Sequence, residues 1–146
     1  MNQPFIVLSV EDNPDDQVIL EKAFRKAGLP NVLRSVGDGE AATTYLVGSA
    51  PFEDRSRYPR PTLILLDLKL PKKSGLSVLE WVRSLPEFRT IPVIILTSSM
   101  EPSDLRRAYE LGVTSYMVKP TGFDEMLALI KGITTYWFGL NKWPPK

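Results

Sequence analysis

The residues able to do chemistry in this 146-residue chain stand where short apolar runs stop. "VEDN" (10–13) sets Glu11 and Asp12 side by side, and "TLILLDLKLPKKSG" (62–75) runs Leu63 to Leu66 straight into Asp67. "VIILTSS" (93–99) ends in Thr97, Ser98 and Ser99, and "SYMVKP" (115–120) ends in Lys119 ahead of Pro120. Gathered in one place, three carboxylates repel, and repulsion raises the pKa of at least one of them. A hard divalent cation removes the conflict. Mg²⁺ takes oxygen ligands in octahedral geometry, keeps several waters, and is commonly held by one or two carboxylates plus phosphate oxygens. Calcium wants more ligands, and zinc wants nitrogen or sulfur. Lys119 adds a positive charge suited to a phosphoryl oxygen, or to pairing Asp67 when none is present, and the Thr97 hydroxyl can serve one further oxygen. This is equipment for stabilising charge on a transferring phosphoryl group. A carboxylate can itself be the nucleophile, giving an aspartyl phosphate. Asp67 is the best placed, because it leaves the central apolar run.

Taken singly, each residue has an ordinary explanation. Glu11 and Asp12 suit a helix start, Thr97 suits a strand, and Lys119 suits a surface. It is their succession at four strand ends that points to one site. What must position them is a sheet. Apolar runs at 5–10, 32–36, 62–67, 92–97 and 115–119 alternate with segments of helical period, which argues for βαβ units and parallel strands. Leu20, Ala23, Phe24 and Ala27 mark the first helix, with Asn13 and Pro14 as its cap and first position and Gly28 as its stop. Val78, Leu79 and Val82 mark another, and Leu105, Ala108 and Tyr109 the next; the last starts near Phe123 and runs to about Tyr136. The fold class is therefore α/β, a three-layer doubly wound sandwich. Right-handed crossovers place the carboxyl ends of its strands along one edge, where such sheets bind ligands. One stretch breaks the rhythm: "GSAPFEDRSRYPRP" (48–61) reads as a long surface loop.

Bulk composition narrows the class. With 18 basic and 17 acidic residues the net charge is +1, so no global field draws the chain to nucleic acid or to a membrane surface. No cysteine and no histidine is present. That excludes disulfides, thiolate and imidazole metal sites, and nucleophile pairs built on histidine. The N-terminus lacks a basic region followed by an apolar stretch, and no apolar run approaches membrane-spanning length. The expectation is one cytoplasmic domain with no membrane contact and no nucleic-acid partner.

On "VEDN" (10–13), "LLDLKLPKKSG" (65–75), "ILTSS" (95–99) and "SYMVKP" (115–120), the chain resembles the receiver domain of two-component response regulators over nearly its whole length. The resemblance implies a flavodoxin-like sheet of five parallel strands in order 2-1-3-4-5, and a histidine kinase as phosphoryl donor. It makes Asp67 the phosphorylated residue. Asp12, Asp67 and the backbone carbonyl of Lys69 would hold Mg²⁺, with Glu11 acting largely through water. Thr97, Ser98 and Lys119 would bind and sense the phosphoryl group, Tyr116 would turn inward as Thr97 moves toward it, and the Lys119–Pro120 bond would be cis. The protein would be a phosphoacceptor, catalysing at most its own phosphorylation and dephosphorylation. A phosphohydrolase with an aspartate nucleophile is the alternative from another class. That chemistry wants a second aspartate two residues after the first, where this chain has Lys69.

The C-terminal end adds a partner expectation. Met126, Leu127 and Ile130 form one apolar stripe; Leu129, Ile133, Tyr136 and Leu140 form a second, followed by Trp137, Phe138 and Trp143. A helix apolar on two sides has two partners, here either a second copy of the chain or its own sheet. The expected division is a receiver domain over 1–137, with 48–61 inserted, and a tail over 138–146 able to contribute to a dimer. The long loop and the "YWFG" ending resemble the small single-domain regulators that serve bacterial phytochrome-type histidine kinases.

Overall fold

The computed structural model describes residues 5–145. Five strands, β1 (Val7–Val10), β2 (Leu33–Val36), β3 (Leu63–Leu66), β4 (Val93–Thr97) and β5 (Ser115–Val118), pair in parallel in the order β2-β1-β3-β4-β5. Between them run α1 (Pro14–Lys26), α2 (Gly39–Val47), α3 (Gly75–Ser84) and α4 (Pro102–Glu110), and α5 (Phe123–Thr134) follows β5.

The central strands β1, β3 and β4 are buried on both faces because helices cover both. Alternation along β3 shows the division. Ile64 and Leu66 join the core under α2 and α3, with Tyr45, Leu46, Val78, Leu79 and Val82. Leu63 and Leu65 join the core under α1 and α5, with Leu20, Phe24, Met126 and Ile130. Three of the helix starts are fixed by a capping side chain. Asn13 caps α1 with its side chain accepting from the Asp15 and Asp16 amides, Asp38 caps α2, and Ser74 caps α3.

The 48–61 loop is built rather than slack. Phe52 and Tyr58 pack around the buried Tyr45 ring, which sits 5.1 and 6.0 Å from theirs. Arg55 donates to the carbonyls of Tyr45 and Leu46 at the end of α2, and the Tyr45 hydroxyl donates to the Pro59 carbonyl at 2.8 Å.

Two sequence expectations need correction. The Lys119–Pro120 bond is not cis; among the described residues the cis peptide is Ala50–Pro51. Only about 0.5–1 kcal/mol separates the isomers before proline, so sequence alone does not choose between them. The last helix also changes character: α5 ends at Thr134, and residues Thr135–Leu140 continue as a π-helical turn. That turn carries Phe138 onto Phe5, stacked at 4.3 Å, and Trp137 lies 5.7 Å from Trp143.

Candidate functional site

Parallel register brings the strand ends level. Val10 pairs with Leu66, so Glu11 and Asp67 emerge side by side, each held by its amide: Glu11 donates to the Val36 carbonyl and Asp67 to the Val10 carbonyl, both at 3.1 Å. Thr97 pairs with Val118, and the Lys119 amide donates to the Thr97 carbonyl at 2.8 Å. The site therefore lies at the edge where the strand order reverses between β1 and β3, as the doubly wound architecture requires.

Carboxylate oxygens of Glu11, Asp12 and Asp67 lie within 4.8 Å of one another. Glu11 and Asp67 are buried, at 6% and 7% exposure, while Asp12 is open to solvent. Asp67 is closely held. Its Oδ1 accepts from the Thr97 hydroxyl at 2.8 Å and faces the Lys69 amide at 3.3 Å, and its Oδ2 accepts from Lys119 Nζ at 2.7 Å. Gly75 explains how the chain comes so close: a Cβ there would stand 2.1 Å from the Asp67 carbonyl oxygen. Only glycine lets the start of α3 pass.

Charge follows from these contacts. Burial works to raise the Asp67 pKa, but the bonds from Lys119 and Thr97 outweigh it and hold that carboxyl below its ordinary value. Glu11 goes the other way, pushed up by burial that Lys119 and the Asn13 amide only partly offset. For Lys119 burial opposes the charge, yet bonds to Asp16, Asp67 and Glu11 hold its pKa well above the usual lysine range. The site thus keeps a permanent cation beside its central acid.

The remaining expected residues sort by position. Ser98 is exposed, one residue beyond the Thr97 hydroxyl. Tyr116 is half-buried against the core, and its hydroxyl donates to the Ser99 carbonyl at 3.0 Å. Ser99, in turn, donates through Oγ to Asp104 on α4 at 2.7 Å. Thr97 donates its hydroxyl to Asp67 Oδ1 in the unphosphorylated chain. Lys69 is exposed and presents no carboxylate where a hydrolase would need one. At the far end, Ile133 is buried in the chain's own core, and Leu129, Trp137 and Phe138 pack half-buried against it, which removes much of their surface from any partner. Tyr136 and Leu140 remain exposed, at 49% and 69%.

One residue of the site was not foreseen. Asp16, in the first turn of α1, accepts from Lys119 Nζ at 2.8 Å. Its sequence signal was slight: "NPDD" offers two acids that a helix start favours in any case. The donor set of the site is hard oxygen throughout, with no nitrogen or sulfur ligand, and it fits a divalent cation of the magnesium type.

Comparison with known proteins agrees with this geometry. The family model described as "Response regulator receiver domain" matches residues 7–131. Among curated relatives, the probable methanogenesis regulatory protein FilR2 of Methanothrix harundinacea is 38% identical, over 97% of this chain and 88% of its own length. Response regulator Rcp1 of Synechocystis is 35% identical, over 93% of this chain and 90% of its own. A solved Mn²⁺-bound form of Rcp1 is 33% identical and covers 97% of this chain and 100% of its own, with a TM-score of 0.85. The phosphorylated cyanobacterial phytochrome response regulator RcpA, 32% identical, matches 98% of this chain and 100% of its own with a TM-score of 0.88. The bacteriophytochrome response regulator RtBRR is 43% identical, over 98% of this chain and 86% of its own, with a TM-score of 0.76.

Proposed function

This chain belongs to the response regulator receiver family, and we propose that Asp67 is the residue on which it accepts a phosphoryl group from a histidine kinase. The observation that carries this reading is the setting of Asp67: a hydroxyl on one carboxylate oxygen, an ammonium on the other, and two further acids within 4.8 Å. Asp12, Asp67 and the Lys69 backbone carbonyl would hold Mg²⁺, with Glu11 reaching it through water, and the bound ion would supply positive charge against the acids and the transferring group. An Asp67 carboxylate oxygen forms the new bond to phosphorus as the bond to the donor breaks. Lys119, Thr97 and Ser98 supply positive charge and hydrogen bonds to the phosphoryl oxygens. Thr97, Tyr116 and the Ser99–Asp104 bond then connect that chemistry to β5 and α4, a local charge change biasing a two-state face.

The likeness to RcpA and RtBRR, phytochrome response regulators by description, supports a reading of the partners. We assign the donor to the phytochrome-type histidine kinases, place the protein in the cytoplasm, and assign a homodimer through the exposed end of the C-terminal helix. Among the described residues no helix is long and apolar enough to cross a membrane. The phosphohydrolase alternative finds no support in a site whose only acid/base candidate at that position is an exposed lysine.

Incubation with acetyl phosphate and Mg²⁺, followed by intact mass measurement, tests the reading. A single phosphoryl adduct is expected on the wild type and none on Asp67→Asn. Steady phosphate release from unrelated esters, with no adduct, would overturn it.

A further inference from the structure

We propose that Asp16 is a positioning residue that holds the Lys119 ammonium over Asp67. An ammonium has three N–H donors, and here all three are used: on Glu11 Oε1 at 2.5 Å, Asp16 Oδ2 at 2.8 Å and Asp67 Oδ2 at 2.7 Å. Two of those acceptors belong to the cluster of Glu11, Asp12 and Asp67 that can take a cation. Asp16 stands outside that cluster. When a metal ion and a phosphoryl group draw on the cluster's oxygens, Asp16 is the partner of Lys119 left uncommitted.

Local structure shows why this acid is free for the task. Asp16 is the third residue of α1, the place from which an acidic side chain commonly reaches back to the cap residue's amide. That amide is already taken, since Asn13 donates to Glu11 Oε2 at 3.0 Å. The Asp16 amide is in turn capped by Asn13 Oδ1. The side chain has no duty at its own helix end, and it crosses to Lys119, 103 residues along the chain. The helix start thus becomes a brace on the strand-five lysine.

The inference rests on Asp67 being the acceptor, and its tests separate the two. Acetyl phosphate labelling of Asp16→Asn at saturating Mg²⁺ is expected to be about tenfold slower than wild type, the scale for a residue that orients one acting directly. Asp16→Glu is expected to recover most of the loss. Mg²⁺ affinity by calorimetry is expected to change less than about twofold, because Asp16 is not a ligand. In a Lys119→Gln background, Asp16→Asn is expected to add nothing, since it acts only through that ammonium. Without any phosphodonor, the Lys119 ammonium resonance in Mg²⁺-loaded protein is expected to sharpen in wild type and to broaden in Asp16→Asn. Equal labelling rates, or a full Asp16→Asn effect without Lys119, would overturn this inference alone. Failure of the wild type to label would overturn the acceptor reading and this inference with it.

Discussion

Lys119 and Asp67 settle the charge of the site between them. Burying a carboxylate costs free energy unless it is paired and hydrogen-bonded, and Asp67 has a partner on each oxygen. Among the described residues no buried side-chain nitrogen or oxygen lacks a partner. What stays unbalanced is the number of acids: Glu11, Asp12 and Asp67 share space with one lysine. A divalent cation relieves that excess and should therefore stabilise the fold. At tenfold its dissociation constant, Mg²⁺ is expected to add about 1.4 kcal/mol of stability. Urea unfolding with and without the ion should show this gain in the wild type and lose most of it in Asp12→Asn. An identical gain in that variant would place the ion elsewhere. Gly75 is the second residue-scale constraint. Gly75→Ala drives a Cβ onto the Asp67 carbonyl, so it should cost about 1–3 kcal/mol and also slow acetyl phosphate labelling. A variant as stable and as quickly labelled as wild type would show that this turn relaxes freely.

At the scale of elements, the chain is tied by side chains that carry one helix onto the connections between others. Arg83, near the end of α3, is the clearest. Its Nε donates to the Gly112 carbonyl at 2.7 Å, Nη1 to the Ile91 carbonyl at 2.8 Å, and Nη2 to the Thr114 hydroxyl at 3.2 Å. Thr114 Oγ1 itself accepts from the Val93 amide at 2.9 Å. One guanidinium thus joins α3, the entry to β4 and the turn from α4 into β5. Burial lowers its pKa somewhat, but guanidinium keeps its charge at any ordinary pH. Arg83→Met preserves the apolar stem and removes the donors; it should lose about 2 kcal/mol in urea unfolding. Mg²⁺ affinity should not change, because the clamp grips the amino ends of β4 and β5, away from the acids. A weakened Mg²⁺ site in that variant would argue that the clamp also sets the carboxyl ends of the strands.

For the whole molecule, the C-terminal end is the surface assigned to a second copy of the chain. Phe138 stacks on Phe5, and Ile133 is buried, so most of the terminal apolar stripe is spent inside the chain. Tyr136 and Leu140 are left on the surface, beside a groove lined by Met117, Val118, Leu129 and Trp137. Edge strand β5 and helix α5 share that groove, through Met117 rather than Tyr116, which packs into the core on the opposite face of the strand. Light scattering on the 16.4 kDa chain is expected to give twice the monomer mass, and Tyr136→Asp with Leu140→Asp is expected to return it to the monomer. A monomeric wild type, phosphorylated or not, would remove the dimer assignment.

The sequence by itself determined the class of fold and the chemistry of its rim. Strand and helix periods are local, and so is the break from apolar run to Glu11, Asp67, Thr97 or Lys119; the right-handed crossover rule then aligns those breaks on one edge. Only the tertiary structure decided how the rim is braced, because those choices are made by residues far apart in the chain. Asp16 meets Lys119 across 103 positions, and Arg83 meets Gly112 across 29. The same holds for the proline isomers and for the π-helical turn that carries Phe138 to Phe5. A local pattern cannot hold such facts, since the energy differences among the alternatives are small until packing and charge from distant elements are added.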